Sequence, residues 1–137
     1  MDSAEFSTRN DALTEKIVGV FHEVYNELGF GFLESVYREA MRIALQQAGL
    51  RVKAEVPVQV SFRGRFIGAF RADLIVDGRV VVELQTAESI SNAHEAEVLH
   101  YLRASAMEIG LVMNFGPDAG FRRIVLRNTL KNGLPVS

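Results

Sequence analysis

The 137-residue sequence contains no cysteine, which excludes disulfides, thiolate zinc sites and thiol nucleophiles. It also lacks an apolar run long enough to span a bilayer, and no basic start followed by an apolar core marks a signal peptide. Internal repeats, low-complexity tracts and linkers are absent from the sequence as well. We therefore expect a protein of the reducing cytoplasm that does not insert into a membrane.

Hydrophobic residues make up 48% of the sequence, and the length suits one compact domain but not two. The net charge of −2 is unevenly distributed, because residues 51–82 carry six basic and three acidic side chains while both flanking segments are net acidic. A basic segment is compatible with phosphate contacts, but scattered surface arginines are the more frequent cause of such a count. Both interpretations stay open.

Hydrophobic periodicity divides the chain into helices and strands. Apolar residues recur at helical spacing from Thr14 until Gly29 and from Leu33 until Gly49. The later elements are three alternating strands ending at Phe62, Val76 and Gln85, a helix beginning at Ser91 or Asn92, and strands at 109–115 and 121–127. This order, α-α-β-β-β-α-β-β, predicts an α/β (α+β) domain in which helices cover a mixed central sheet. We place the single domain at 13–127, between a flexible N-terminus (1–12) and a C-terminal tail (128–137).

The segment 71–85 is predicted to form two strands joined at the turn dipeptide Asp77-Gly78. Apolar side chains hold the even positions of both strands, and the polar side chains of the strands fall on odd positions, so each strand is predicted to have an apolar even face and a polar odd face. The apolar faces align only with an odd-length connection, such as a three-residue loop that pairs Ile75 with Arg79, or with a bulge. The shared polar face then carries Arg71, Asp73, Glu83 and Gln85, and the opposite face carries Ala72, Leu74, Val82 and Leu84.

Two carboxylates on adjacent strands repel each other, by roughly 4 kcal/mol at about 4 Å and an effective dielectric near 20. Arg71, a shared proton or a bound cation would offset that repulsion. On one interpretation the polar face is half exposed and Arg71 pairs with both acids. On the other, Asp73 and Glu83 bind a hard cation, since oxygen ligands on rigid strands suit Mg²⁺ or Mn²⁺, which activates water against a phosphodiester.

Two of the predicted helices add candidate residues. Glu34 and Tyr37 lie on neighbouring parts of one helix surface, although Glu34 alone is also a favourable charge near a helix N-terminus. On the third helix the predicted apolar side consists of Ala93, Ala96, Leu99, Leu102 and Ala106, and a second stripe consists of His94, Glu97 and Tyr101. Such a stripe is usually solvated, but this helix directly follows the strand that bears Glu83.

Several short motifs occur together in this sequence. They are G-x-x-E-x-x-Y at 31–37, Arg71-Ala72-Asp73-Leu74, Val82-Glu83-Leu84, His94-Glu95-Ala96 and Asn114-Phe115-Gly116. In this combination the chain resembles, over about residues 13–127, the GxxExxY protein family, which is placed in the PD-(D/E)XK nuclease-like superfamily. The resemblance implies that superfamily's restriction-endonuclease-like α-β-β-β-α-β core, with which the predicted order is compatible.

The resemblance also implies roles for individual residues. Asp73 takes the position of the metal-binding Asp, Glu83 that of the acid of E-x-K, and the Leu84 carbonyl is a further implied ligand of Mg²⁺ or Mn²⁺. Glu34 is similar to an extra carboxylate that many such nucleases add to the site. Gln85 stands where the family pattern has Lys, so it can orient water but brings no charge to the developing phosphorane.

Other residues around this implied site have open roles. Glu97 stands where the following helix often has Gln, and this acid either binds metal or increases repulsion near phosphate. His94 is either a general base or a helix cap that supports the site. The remaining candidates for a supporting role are Tyr37, Arg71 and Tyr101.

Two functions from different classes follow. The first is a metal-dependent nuclease of DNA or RNA with Asp73, Glu83 and Gln85 as its catalytic residues. The second is a non-catalytic relative that uses the fold to bind nucleic acid or a protein partner. Gln85 favours the second function, and the presence of both acids on one face favours the first, which is our working hypothesis. The oligomeric state is left open, with a homodimer as one candidate assembly.

Overall fold

The computed structural model describes residues 3–131. Its helices and strands follow the predicted order, so the predicted α+β class with a mixed sheet is confirmed. The helices are α1 (Ser3–Leu28), α2 (Glu34–Gln47) and α3 (Asn92–Ala104), and the strands are β1 (Val52–Phe62), β2 (Arg65–Val76), β3 (Val80–Gln85), β4 (Ile109–Asn114) and β5 (Gly120–Val125).

The strands form one sheet in the order β1-β2-β3-β4-β5. Neighbours are antiparallel except β3 and β4, which run parallel and are joined by α3, the crossover that a parallel pair requires. One apolar core lies between the sheet and helices α1 and α2, and a second lies between the sheet and α3. The central strands β3 and β4 are therefore covered on both faces, as the apolar run in β4 predicts.

Helix α1 is longer than the sequence pattern predicts. It begins at Ser3, so the prediction that it begins at Thr14 is wrong. A polar segment can still be helical when it continues an amphipathic helix, because propagation needs no new nucleus. At the other end, a short 3-10 helix (Asn128–Leu130) opens the predicted tail, whose residues 132–137 lie outside the described part. No helix within residues 3–131 combines the length and apolar character of a membrane span.

The connection between β2 and β3 has an odd length, as the alternation predicts. Val76 pairs with Val80, which leaves a three-residue loop at 77–79. The predicted pairing of Ile75 with Arg79 is wrong because the loop lies one residue farther along the chain. The even positions of the two strands still align, so the apolar faces match.

The turn between β1 and β2 is shorter than predicted. Phe62 pairs with Arg65 across Arg63-Gly64, and both turn residues have positive φ, 50° and 78°, as in the mirror-image turns that suit tight hairpins. A bulge next to Val60 then shifts the register. The predicted three-residue loop is therefore wrong, and the bulge supplies the extra residue that restores the matching of even positions.

Helix α3 packs on the sheet through a face that differs from the predicted one. Val98, Tyr101 and Leu102 are buried, whereas Ala93 is exposed and Ala96 is only partly buried. Among the residues predicted to form the apolar side of this helix, Leu102 is fully buried, as predicted. The larger Val98 and Tyr101 side chains bury more apolar area than the alanines do, which explains the rotation of the helix.

Candidate active site

The β2–β3 ladder ends at the two predicted acids. Its last pair is Leu74 with Val82. Acidic side chains replace the next backbone bonds, since the Asp73 N–H donates to Glu83 Oε1 at 3.3 Å and the Leu84 N–H donates to Asp73 Oδ2 at 2.8 Å. Asp73 and Glu83 therefore lie together at the point where the two strands part.

Strict alternation along β2 breaks at Asp73. Leu74 packs in the core beneath α1 and α2, whereas Ala72 packs with Ile75 in the core beneath α3. The prediction that Ala72 shares the face of Leu74 is therefore wrong. The break lies opposite Glu55, whose φ of 52° interrupts the pairing between β1 and β2 at this point.

Glu83 opens onto a cavity of about 250 Å³ between α2, β3 and α3. Its lining brings together most of the predicted site residues: Glu34, Glu83, Leu84, Gln85, His94 and Glu97, with Val112. Three carboxylates from three different elements thus face one space. Asp73, which is 8% exposed, does not line the cavity but bonds directly to the strand that does.

The acids of the site strongly affect one another. Burial, reinforced by the adjacent Asp73 carboxylate, raises the pKa of Glu83 to about 9. A protonated Glu83 beside a charged Asp73 removes the repulsion between them. Burial and Asp73 also raise the pKa of Glu34, and burial and Glu83 raise the pKa of Tyr101. Perturbed carboxyl groups that border a cavity are typical of functional sites.

Arg38 of α2 neutralises Asp73, a contact that the sequence reasoning missed. Its Nη1 donates to Asp73 Oδ1 at 3.1 Å, and its Nη2 lies 3.7 Å from Glu55. The Arg38 and Asp73 side chains are 24% and 11% exposed. The spacing in the sequence could have predicted that Arg38 lies near the site, because Arg38 follows Glu34 by four residues and shares its helix face.

Arg71 does not take its predicted place beside both acids. Its side chain is 67% exposed, and its ion pair is with Glu55, at 4.0 Å. Arg71 lies on the part of β2 that no longer pairs with β3, so its guanidinium is not adjacent to Glu83. The cation at Asp73 is therefore supplied by a helix rather than by the strand.

Gln85 ends β3 with its side chain against the cavity. The residue is 8% exposed, and its Nε2 is buried without a hydrogen-bond partner in the described part of the chain. An unpaired buried amide donor costs about 1–3 kcal/mol. The amide donor of Gln85 is thus unsatisfied at the edge of the cavity.

Hydrogen bonds fix the start of α3 beside the cavity. His94 Nδ1 accepts from the Ser91 N–H at 3.1 Å, and Ser91 Oγ accepts from the His94 N–H, which is a reciprocal cap. Fully buried Asn114 holds the preceding loop through the Ala87 N–H at 3.0 Å and the Ala87 carbonyl at 2.9 Å. Of the two roles considered for His94, the observed contacts are those of a helix cap.

Tyr37 supports the loop that leads to Glu34. Its ring is fully buried and stacks on Phe115, with 4.3 Å between centroids. Its hydroxyl donates to the Gly29 carbonyl at 2.6 Å and accepts from the Phe32 N–H at 3.2 Å. The tyrosine therefore acts on the site through the backbone rather than through the acids.

The donor atoms of the cavity suit a hard divalent cation. Its carboxylates are oxygen ligands of the type that Mg²⁺ and Mn²⁺ prefer, and the Leu84 carbonyl faces the same strand edge as the Leu84 N–H, toward Asp73. Arg38 and the Leu84 N–H, however, occupy both oxygens of Asp73. Within residues 3–131 no three Asp, Glu or His side chains are arranged to hold a metal ion. The residues fit a cation by their chemistry, and Asp73 would have to exchange Arg38 for it.

Comparisons with known proteins agree with the fold described above. Residues 11–124 match the family model of the PD-(D/E)XK nuclease superfamily. The crystal structure of SSO0001 is similar, with a TM-score of 0.54 and 19% identity over 68% of this chain and 50% of that one. This chain thus spans half of that protein, and at this identity the likeness shows the fold alone. No curated protein matches the sequence. The match is to the superfamily, and the narrower GxxExxY family stays a prediction.

Proposed function

The chain belongs to the PD-(D/E)XK nuclease superfamily, and from this premise we propose that it hydrolyses phosphodiester bonds in nucleic acid with a divalent metal ion. The observation that carries the proposal is the convergence of Glu34, Glu83 and Glu97 on one cavity beside Asp73. Acids that crowd around one cavity repel one another and cost stability, so their presence beside the buried Asp73 favours a role in binding a cation.

Asp73 and Glu83 would hold Mg²⁺ or Mn²⁺, with the Leu84 carbonyl and Glu34 as further ligands. The bound cation would polarise a phosphate oxygen and lower the pKa of a coordinated water. Glu83 would bind the cation in its deprotonated form, as carboxylate ligands do. Arg38 would have to release Asp73 Oδ1 for that oxygen to become a ligand, since its hydrogen bond uses the same oxygen.

Gln85 occupies the position of the lysine in the superfamily pattern. In the proposed mechanism its unpaired Nε2–H would donate to the attacking water or to a phosphate oxygen in the cavity. It brings no positive charge, and the loss of one preorganised electrostatic stabiliser lowers a rate by about 10²–10³. We therefore expect slow hydrolysis by this chain.

A non-catalytic module that binds nucleic acid or a protein partner is the second candidate function. Two observations favour it: Asp73 uses both of its oxygens within the fold, and Gln85 lacks the charge of lysine. In that case Asp73, Glu83 and Arg38 form a polar network that only shapes the domain. Such a protein would bind its partner without cleaving it.

Cleavage of supercoiled plasmid and of RNA, with and without Mg²⁺ or Mn²⁺, tests the proposed activity. Wild type is compared with Asp73→Asn, which removes one ligand charge without changing side-chain size. The matched control is Asp77→Asn, which makes the same change in the loop at 77–79. All reactions use the same low salt, because phosphate contacts weaken steeply as salt rises.

Metal-dependent cleavage that is lost in Asp73→Asn and persists in Asp77→Asn supports the nuclease. Nucleic-acid binding without cleavage in any of the proteins supports the module. Cleavage that survives Asp73→Asn at the wild-type rate contradicts the proposed site.

A further inference from the structure

A two-stranded ribbon extends from the sheet beside the candidate active site. β2 pairs with β3 over residues 74–76, whereas β1 and β2 stay paired out to Phe62 and Arg65. We call residues 56–72 the ribbon. From Asp73 to Phe66 it spans about 23 Å at the rise of a strand.

The inner half of the ribbon is supported by α3, but its end is not. Phe70 lies against His100 of α3, with 5.9 Å between ring centroids. At the far end Phe62, Phe66 and Ile67 are 56%, 62% and 64% exposed. Exposed large apolar side chains concentrated at the end of one hairpin indicate an interaction surface.

The ribbon carries charge of one sign. Residues 56–72 contain three arginines and neither Asp nor Glu. In the described chain neither Arg63 nor Arg65 forms an ion pair, and the Arg63 guanidinium lies 4.8 Å from the centre of the Phe62 ring. Cationic and apolar groups together complement duplex DNA, which presents phosphates beside base edges that include the thymine methyl group.

The aromatic rings lie on opposite faces of the ribbon. Phe62 pairs with Arg65 and Phe66 pairs with Ser61, so Phe62 and Phe66 belong to neighbouring pairs. Side chains of neighbouring pairs point to opposite faces. A flat partner surface would cover either Phe62 or Phe66, but not both. A groove that receives the end of the ribbon has a wall on each side and therefore contacts both rings. The major groove of B-form DNA is wide enough for a two-stranded ribbon, and that of A-form RNA is too narrow.

We propose that the end of the ribbon enters the major groove of duplex DNA and thereby makes duplex DNA the substrate of this site, an inference that rests on the proposed nuclease function. Arg63 and Arg65 contact the phosphates that border the groove. Phe62, Phe66 and Ile67 make apolar contacts with base edges, of which the thymine methyl group is the best suited.

Fluorescence anisotropy of a short labelled DNA duplex, titrated in EDTA, tests this proposal. EDTA prevents metal-dependent cleavage, so the result does not depend on whether the chain is a nuclease. Wild type is compared with Phe62→Ser/Phe66→Ser and with Arg63→Ser/Arg65→Ser. The matched control, Arg122→Ser/Arg123→Ser, removes two arginines from β5 at the opposite edge of the sheet. Single-stranded DNA and duplex RNA of the same sequence serve as competitors.

We expect the phenylalanine variant to bind the DNA duplex about tenfold more weakly than wild type, in line with the loss of two apolar base contacts. The plot of the logarithm of the binding constant against the logarithm of the salt concentration has a negative slope. The Arg63→Ser/Arg65→Ser variant should reduce the magnitude of this slope by about two, and the control should change it less. Duplex RNA should compete poorly.

Wild type that does not bind duplex DNA overturns the inference. Equal competition by duplex RNA or unchanged binding by both ribbon variants does the same. A shift of the phenylalanine variant from dimer to monomer in sedimentation, with DNA binding intact, would instead assign the ribbon to a contact between two copies of the chain. Loss of DNA binding in the ribbon variants supports the inference even if no cleavage is ever detected, which then counts against the proposed nuclease alone.

Discussion

Arg38 lies on the Asp73 carboxylate, with 3.1 Å between Nη1 and Oδ1, and so places a cation beside the acids of the site. The same helix, α2, also contributes Glu34 to the cavity. We interpret Arg38 as the positive charge that stabilises the acids while no metal ion is bound. This interpretation makes the arginine important for stability and a competitor of the metal.

Arg38→Gln should therefore destabilise the metal-free protein by about 1–3 kcal/mol, because a largely buried carboxylate loses its charged hydrogen-bond donor. The same variant should bind Mn²⁺ more tightly than wild type, because the competing guanidinium is gone. Urea unfolding in EDTA and calorimetric titration measure the two effects. The control is Arg42→Gln, one turn farther along α2, whose exposed pair with Glu39 is screened by solvent and should contribute much less. Equal losses in the two variants would contradict this role of Arg38.

The stability of the metal-free protein should fall as the pH rises between 4.5 and about 9, the ordinary and the raised pKa of Glu83. In this range folded Glu83 binds a proton that the unfolded chain has released, so the free energy of unfolding decreases with pH, by at most about 1.4 kcal/mol per pH unit. Below pH 4.5 this contribution is fully present. Glu83→Gln, which stays neutral at every pH, should show a flatter profile in urea unfolding with EDTA. Identical profiles would show that burial does not keep Glu83 protonated.

Gln85→Lys should raise metal-dependent cleavage by about 10²–10³, because it places a positive charge beside the attacking water. The side chain borders a cavity of about 250 Å³, which leaves room for the longer lysine. Plasmid cleavage under single-turnover conditions measures the change. Gln85→Met has a similar length and no charge, and it should not exceed the wild-type rate. An equal gain in both variants would mean that charge is not the missing element.

Tyr37→Phe should lower the free energy of unfolding by about 1–2 kcal/mol, because the Gly29 carbonyl and the Phe32 N–H lose their shared partner. Its affinity for Mn²⁺ should match that of wild type, since the hydroxyl bonds to backbone rather than to the acids. Urea unfolding and titration again provide the measurement. Unchanged stability together with lost metal binding would instead give Tyr37 a direct role at the acids.

Periodicity alone predicted the parts of the fold that depend on burial. Apolar residues at helical or alternating spacing give the element order, and the need to align two apolar faces gives the odd-length connection between β2 and β3. The same reasoning brought Asp73 and Glu83 together, because both hold odd positions on strands that pair. These inferences need no knowledge of distant contacts.

The contacts between elements were not predictable in this way. Alternation does not reveal where β2 leaves β3, so it misplaced Ala72 and put Arg71 beside Asp73, whose cation is Arg38. The rotation of α3 follows from the sizes of Val98 and Tyr101, which outweigh a stripe of alanines. In each case the outcome depends on how two elements pack, which a local pattern does not contain.

The most direct test of the account is to soak crystals of the protein with Mn²⁺ and to measure the anomalous difference density. We expect a single strong peak bounded by Asp73, Glu83 and the Leu84 carbonyl, with Arg38 moved off Asp73. The peak should be lost in crystals of Glu83→Gln. A fully occupied Arg38–Asp73 ion pair at saturating Mn²⁺, with no peak at these acids, would contradict this expectation.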